Sequence, residues 1–241
     1  MTTRTASAFG APAAIAVALL LLTGCAAGDA GSEPSSSSAP SASPSPSASP
    51  SAEPAGVDTS DWLEYATHDG DMTYRYPADW TLESESVESD PAVAGGRWFD
   101  STTLAAPTGQ QLLQSGDYVD VGGACGEEDR YPIEVLASEP ASAGEGTTLL
   151  TVALGTPDGR WIFGSGIASA DQVPQPGATG CGIYFIFGSS DGGMSMGTHF
   201  LLASIADDPL WTVESIDDAR AYMETDEYAT ILEILRSVQT S

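Results

Sequence analysis

The 241-residue chain carries 34 acidic residues against 7 basic ones, which gives a formal net charge of −27. All of the basic residues are arginine, so the chain contains no lysine. Phosphate-binding loops of nucleotide hydrolases, Schiff-base enzymes and kinases each need a positioned lysine amine, and the sequence excludes these classes. So negative a surface also repels nucleic acid, whose binding depends on neutralising phosphates.

The first residues have the pattern of an export signal. Arg4 supplies a positive charge ahead of an apolar run from Ala13 to Leu22. A membrane-spanning helix needs about 20 apolar residues, and this shorter run is typical of the apolar region of a signal peptide. The run ends in Leu22-Thr23-Gly24-Cys25, which resembles the motif that precedes the lipidated cysteine of bacterial lipoproteins. The resemblance implies that residues 1–24 are removed and that Cys25 carries a covalent lipid.

A lipid on Cys25 predicts attachment to the cell membrane at its extracytoplasmic face. The alternative is an ordinary secretory signal that is cleaved near Gly28. The alanine-rich, lysine-free composition is typical of a high-GC actinobacterial source.

Residues 25–60 are predicted to form a disordered tether. From Gly31 to Gly56 the chain is almost entirely serine, proline and alanine. Such a segment has too little apolar surface to offset the entropy lost on folding. Its Ser-Pro repeats favour an extended, polyproline-like spacer between the lipid and the rest of the chain.

Residues 61–241 are predicted to form a single α+β domain built on a mainly antiparallel sheet. Leu63–Thr67 and Met72–Tyr76 flank an Asp-Gly turn, which indicates a hairpin. No long helical pattern separates the strands that follow, so the connections are short and the sheet is antiparallel. These further predicted strands are Trp80–Glu83, Trp98–Ala105, Gln110–Gln114, Pro132–Ala137, Thr148–Leu154, Trp161–Ile167, Gly182–Phe187 and Gly197–Ser204.

The end of the domain changes to a helical period. Ser215 and Asp218 form a capping-box pattern, which predicts a short helix through about Glu224. An amphipathic helix follows and is expected to pack its apolar side on the sheet, with Glu233 and Arg236 on the opposite side. The apolar positions at helical spacing are Tyr228, Ile231, Leu232, Leu235 and Val238.

Two segments resemble the PsbP/Mog1-like fold family. The sequence from Thr73 to Trp80, with Tyr76-Pro77 ahead of Trp80, is similar to the strand that opens those domains. Residues 226–238 resemble their C-terminal helix. The resemblance implies an antiparallel sheet with packed helices, and it implies little about function because the fold serves unrelated proteins.

One of the three cysteines lies at the end of the predicted signal peptide, and the other two lie in the predicted domain. If Cys25 is lipidated, Cys125 and Cys181 form an even pair in an exported domain, which predicts a disulfide. A free reactive cysteine beside a histidine is the alternative.

Catalytic patterns are scarce. Gly188-Ser189-Ser190-Asp191-Gly192 matches the G-x-S-x-G motif of hydrolases, but that motif needs a helix after the serine, whereas a strand-like segment follows here. A hairpin loop is therefore predicted, and no catalytic residue is assigned. His68 and His199 lack a spaced partner for zinc.

Acidic loops offer only candidate calcium ligands. Calcium prefers carboxylate oxygens, but none of these loops has the EF-hand pattern, and acidic loops are expected at this net charge. No metal or other cofactor is therefore predicted beyond the lipid on Cys25. The candidates are Asp69, Asp71, Glu127, Glu128 and Asp129.

These features predict a non-catalytic lipoprotein of the cell envelope. Its partners are the membrane, through the lipid, and an envelope protein or small ligand that the outer domain binds or scaffolds. A solute- or cation-binding lipoprotein is the alternative, and an extracellular hydrolase is a more remote one.

Overall fold

A computed structural model describes residues 56–90, 96–118, 126–189, 192–203 and 208–241. The predicted signal peptide, Cys25 and most of the predicted tether lie outside these residues. All the described residues belong to one compact unit. Within them, no helix has the length and apolar character needed to cross a membrane.

The predicted antiparallel α+β fold is confirmed. The largest sheet contains two strand meanders joined through a later strand, and every described pairing is antiparallel. In spatial order its main strands are β3 (Thr81–Glu88), β4 (Trp98–Ala105), β5 (Gln111–Tyr118), β12 (Gly192–Gly197), β8 (Trp161–Ser169), β7 (Thr147–Gly155), β6 (Tyr131–Pro140) and β9 (Thr179–Gly180), with β11 (Ile186–Ser189) on β12 and β14 (Thr212–Val213) on β8.

Much of the core lies on β7 and β8, two interior strands of this sheet. These two strands pair along their full lengths, from Thr147 opposite Ser169 to Gly155 opposite Trp161. Their interior positions are buried on both faces of the sheet, and a strand covered on both sides reads as a nearly continuous apolar run. Leu150, Leu154 and Ile162 are each fully buried.

Two small sheets flank the large one. β1 (Leu63–Ala66) and β2 (Met72–Tyr76) form the predicted hairpin, and β15 (Gln239–Thr240) adds to the other edge of β2. Between β1 and β2 the turn places Gly70 at a φ of 72°, a conformation that glycine adopts without strain. The second small sheet pairs β10 (Gly182–Tyr184) with β13 (Leu201–Ala203).

Both predicted helices are present. α1 (Ile216–Met223) begins at Ser215, whose hydroxyl accepts a hydrogen bond from the Asp218 amide, as the capping pattern predicts. α2 (Asp226–Arg236) buries Tyr228, Ile231 and Leu235. It also buries Ile234, which the predicted apolar set omitted, whereas Leu232 is only partly buried.

Two predicted strands are wrong as single elements. Gly182–Phe187 divides into β10 and β11, which belong to different sheets, because the chain crosses between them at Phe185. Gly197–Ser204 likewise divides into the end of β12 and β13. The Phe185 amide still donates to the carbonyl of Phe200 at 3.1 Å, so the two crossings are paired. An apolar run cannot reveal such a change of sheet, since both segments keep the same period.

Candidate functional site

The outer face of β3, β4 and β5 is a polar surface that is open to solvent. Strand alternation and register place Glu83 opposite Thr103, which is opposite Gln114, and Glu85 opposite Ser101. These five residues, here called the acidic face, line a concavity of about 400 Å³ together with the intervening residues Ser84, Thr102 and Ser115. Both glutamates and Ser101 are exposed.

The opposite face of the same strands explains why these side chains point outward. The intervening residues Thr102 and Ser115 are buried, and their hydroxyl oxygens lie 2.6 Å apart. The Tyr74 hydroxyl of β2 lies 2.7 Å from Oγ1 of Thr102. Burial raises the pKa of Tyr74, so its hydroxyl keeps its proton for this network. The inner face is therefore committed to packing on β2, and the outer face is left to solvent.

The acidic face ends in an apolar region. Val87 of β3 is 53% exposed and lies opposite Phe99 of β4. The Arg97 guanidinium carbon lies 5.2 Å from the centre of the Phe99 ring, at a distance suited to a cation–π contact. The outer face thus offers carboxylates at its centre and apolar side chains at one end.

Below the outer face, at this end of the sheet, two aspartates with buried side chains connect neighbouring elements. The Asp100 side chain accepts hydrogen bonds from the His68 amide at 3.0 Å and from the Ser86 hydroxyl. The Asp100 amide in turn donates to Oδ2 of Asp117 at 2.8 Å. Oδ1 of Asp117 lies 3.3 Å from Nη2 of Arg97. These bonds fasten the β1–β2 turn to β3, β4 and β5.

The pKa of Asp117 is raised, first because burial removes water from the carboxylate and then because Asp71 and Asp100 lie near it. The hydrogen bond from the Asp100 amide and the charge of Arg97 oppose this shift in pKa. Sequence reasoning missed both buried aspartates. A signal was present for Asp100, which shares the alternation of the inward-facing Thr102 and Leu104 on β4.

The G-x-S-x-G segment lies at a hairpin, as predicted. β11 ends at Ser189 and pairs antiparallel with β12, with Ser189 opposite Gly192. A nucleophile elbow instead joins a strand to a helix. Ser190 and Asp191 lie outside the described residues.

The two histidines have separate surroundings. The exposed His68 ring stacks on Trp98 with a centroid distance of 3.9 Å. His199 contacts the Trp211 ring edge to face at 5.6 Å, and its Nδ1 lies 2.9 Å from Oγ1 of Thr198. Burial lowers the pKa of His199 to about 4, and the charge of Asp208 only partly opposes this.

The candidate calcium ligands lie in two loops. Asp69 and Asp71 occupy the β1–β2 turn, where Oδ1 of Asp71 accepts a hydrogen bond from the Thr67 hydroxyl at 2.5 Å. Glu127–Asp129 forms a short 3₁₀ helix ahead of β6. Among the residues that the structure describes, no three His, Cys, Asp or Glu side chains come together as a metal site.

Two of the three cysteines, Cys25 and Cys125, lie outside the described residues. Cys181 lies directly ahead of β10. Its pairing with Cys125 stays a prediction, as does lipidation of Cys25.

The fold and the acidic face together define an antiparallel α+β domain with a polar sheet face that no described helix or strand covers. Comparison of the chain with protein-family models, curated proteins and solved structures found no match. The PsbP/Mog1-like resemblance and the lipoprotein motif therefore stand as predictions from the sequence.

Proposed function

We propose that the protein is a lipid-anchored component of the cell envelope whose folded domain binds another envelope component through the acidic face. The lipid would be carried by Cys25, and residues 25–60 would act as the tether that lets the domain reach its partner. The observation that carries the binding function is the concavity of about 400 Å³, which is lined by Glu83, Glu85 and by hydroxyl and amide side chains.

The chemistry of the acidic face favours recognition over catalysis. Its side chains supply hydrogen-bond acceptors and donors on regular strands, which hold them rigidly in register. Two glutamates on adjacent outward positions of β3 attract positive charge, and the net charge of −27 adds a long-range field of the same sign. A basic partner fits this surface best.

The anchor is tested by fractionation. Full-length protein should sediment with membranes, and Cys25→Ala should release it, because a diacyl anchor supplies about 0.8 kcal/mol for each buried methylene. Cys125→Ala combined with Cys181→Ala removes the other two cysteines together and should leave the membrane fraction unchanged. Equal membrane association of the wild type and Cys25→Ala would contradict the anchor.

The binding face is tested by photo-crosslinking in intact cells. A photoreactive residue at Ser101, on the acidic face, should give a defined adduct, whereas one at the exposed loop residue Gln175 should not. Neutralising Glu83 and Glu85 to glutamine should remove the adduct. The exposed Glu145 and Glu214, also changed to glutamine, give a control with the same loss of charge. Equal crosslinking from both positions would count against the acidic face as the site.

A further inference from the structure

β3 forms one edge of the large sheet. It pairs with β4 along eight residues, from Thr81 opposite Ala105 to Glu88 opposite Trp98, and no described strand lies on its other side. Seven of its eight residues are exposed, and only Leu82 is partly buried. An edge of this length presents unpaired backbone groups that can template a further strand.

The register shows which backbone groups of β3 point away from β4. The Ser89 amide donates to the Arg97 carbonyl at 2.9 Å, so this pair is a hydrogen-bonded one. In an antiparallel pair the hydrogen-bonded residues alternate along each strand. The backbone N–H and C=O groups of Glu83, Glu85 and Val87 therefore point toward β4. The residues between them direct their N–H and C=O groups to the open side, and these are Leu82, Ser84, Ser86 and Glu88.

The outward side chains of β3 define what an added strand must carry. Glu83, Glu85 and Val87 follow one another on the outer face, and each would lie beside one residue of the added strand. Basic side chains complement the two glutamates, and an apolar side chain complements Val87, which is 53% exposed beside Phe99. The preferred partner pattern on that face is therefore basic, basic, apolar at alternate positions.

A second copy of the chain does not meet this requirement. Pairing two β3 edges would bring glutamates of one copy close to glutamates of the other, and each copy carries a net charge of −27. Like charges on adjacent strands destabilise the pair. The same carboxylates that prevent self-pairing leave the edge open to a strand of opposite charge.

We infer that the free edge of β3 accepts an extended, lysine- or arginine-bearing segment of a partner protein as an added β-strand. This rests on the proposed function, since it specifies the class of partner and the mode by which the acidic face binds it. Backbone hydrogen bonds to Leu82, Ser84, Ser86 and Glu88 supply affinity, and the alternate side chains supply selectivity.

The first test measures hydrogen exchange on the full-length lipidated protein in an uncharged detergent. The probe is a peptide of alternating lysine and threonine flanked by valines, and the control peptide has glutamate in place of lysine. The lysine peptide should slow exchange of the Ser84, Ser86 and Glu88 amides. It should leave the Glu83 and Glu85 amides unchanged, because these are already bonded to β4. This alternation distinguishes an added strand from general screening of the surface.

The second test uses variants and measures peptide affinity by fluorescence anisotropy. Ser84→Pro removes an outward amide and blocks the edge without breaking a bond to β4, and should weaken binding about tenfold or more. Ser84→Ala keeps the backbone donor and should stay within about twofold of the wild type. Glu83→Gln with Glu85→Gln should weaken binding by about three- to tenfold, whereas Glu145→Gln with Glu214→Gln should not.

The outcomes separate the inference from the function on which it rests. Peptide binding that needs Glu83 and Glu85 but survives Ser84→Pro, without alternating protection, would overturn strand addition and leave the acidic face as a binding site. No binding of the lysine peptide overturns the inference, and crosslinking from Ser101 then decides the proposed function separately. Protection of β3 amides by self-association without peptide would overturn the choice of a basic partner. The exchange measurement needs no variant, so misfolding of Ser84→Pro cannot obscure the result.

Discussion

The Tyr228 hydroxyl of α2 lies 2.7 Å from Oγ1 of Thr151 on β7, and Thr151 lies 2.8 Å from Oγ of Ser165 on β8. Thr151 is fully buried, and Tyr228 is 4% exposed. One side chain of the helix is thus connected to two interior strands of the sheet through buried hydroxyl groups. Such a network fixes the position of the helix as well as stabilising it.

Tyr228→Phe should therefore lower the free energy of unfolding by about 1 kcal/mol, because it removes one buried hydrogen bond while keeping the ring. Thr151→Val should cost a similar amount or more, since Ser165 also loses its partner. The double variant should show a coupling of about 0.5–1 kcal/mol in a cycle measured by urea unfolding. Strictly additive effects would show that the 2.7 Å contact contributes nothing to stability.

Thr225 and Thr230 offer a matched pair for the start of the same helix. Oγ1 of Thr225 accepts a hydrogen bond from the Tyr228 amide at 3.2 Å and caps the first turn. Oγ1 of Thr230 only donates to the Asp226 carbonyl, which is already inside the helix. Thr225→Ala should cost about 1 kcal/mol, whereas Thr230→Ala should be neutral or slightly stabilising through its higher helix propensity. Equal effects in thermal unfolding would contradict the cap.

The helices were predictable because their signals are local. Ser215 and Asp218 are close neighbours in sequence, and the apolar spacing from Tyr228 onward shows which side of α2 is buried. The division of Gly182–Phe187 between two sheets was not predictable, since it depends on where Phe185 packs in the folded chain. Strand existence follows from alternation, but strand partners follow from contacts distant in sequence.

Gly166 lies at one of those contacts between residues that are distant in sequence. A Cβ atom at this position would lie 2.5 Å from Cγ of Phe185 and 2.8 Å from the Met196 carbonyl oxygen, so an added methyl group has no room. Gly116, also in a strand, would place its Cβ no closer than 3.6 Å to its neighbours. Gly166→Ala should therefore destabilise by about 1–3 kcal/mol, while Gly116→Ala should be close to neutral. Equal melting temperatures for the two variants would show that Phe185 does not pack on Gly166.

The candidate site was less predictable than the fold. The acidic loops could be recognised in the sequence. That the exposed glutamates of β3 belong to a binding face follows only from the strand register, which places Glu83 in line with Thr103 and Gln114. The predicted strand ended at Glu83, although β3 continues to Glu88. This segment is rich in serine and in glutamate, and glutamate is depleted in strands. The second half of β3 was therefore not predicted as a strand.

His199 should make the free energy of unfolding depend on pH. Burial lowers the pKa of His199 to about 4 in the folded protein, against an ordinary value near 6.5 in the unfolded chain. The folded state therefore binds fewer protons between these values, so the stabilisation is complete above about pH 6.5 and is lost as the pH falls toward 4. The loss from this group should be roughly 2–3 kcal/mol.

The measurement compares His199→Gln with His68→Gln by urea unfolding at neutral pH and near pH 4. Both variants contain the same carboxylates, so the difference between their pH profiles reports on His199 and on its interaction with Asp208. His68→Gln keeps His199, and its free energy of unfolding should fall by roughly 2–3 kcal/mol more than that of His199→Gln on acidification. Because His68 is exposed and His199 is partly buried against Trp211, the residue types match while the surroundings differ. Parallel profiles would mean that His199 is hydrated in solution and that its contact with Trp211 opens before it is protonated.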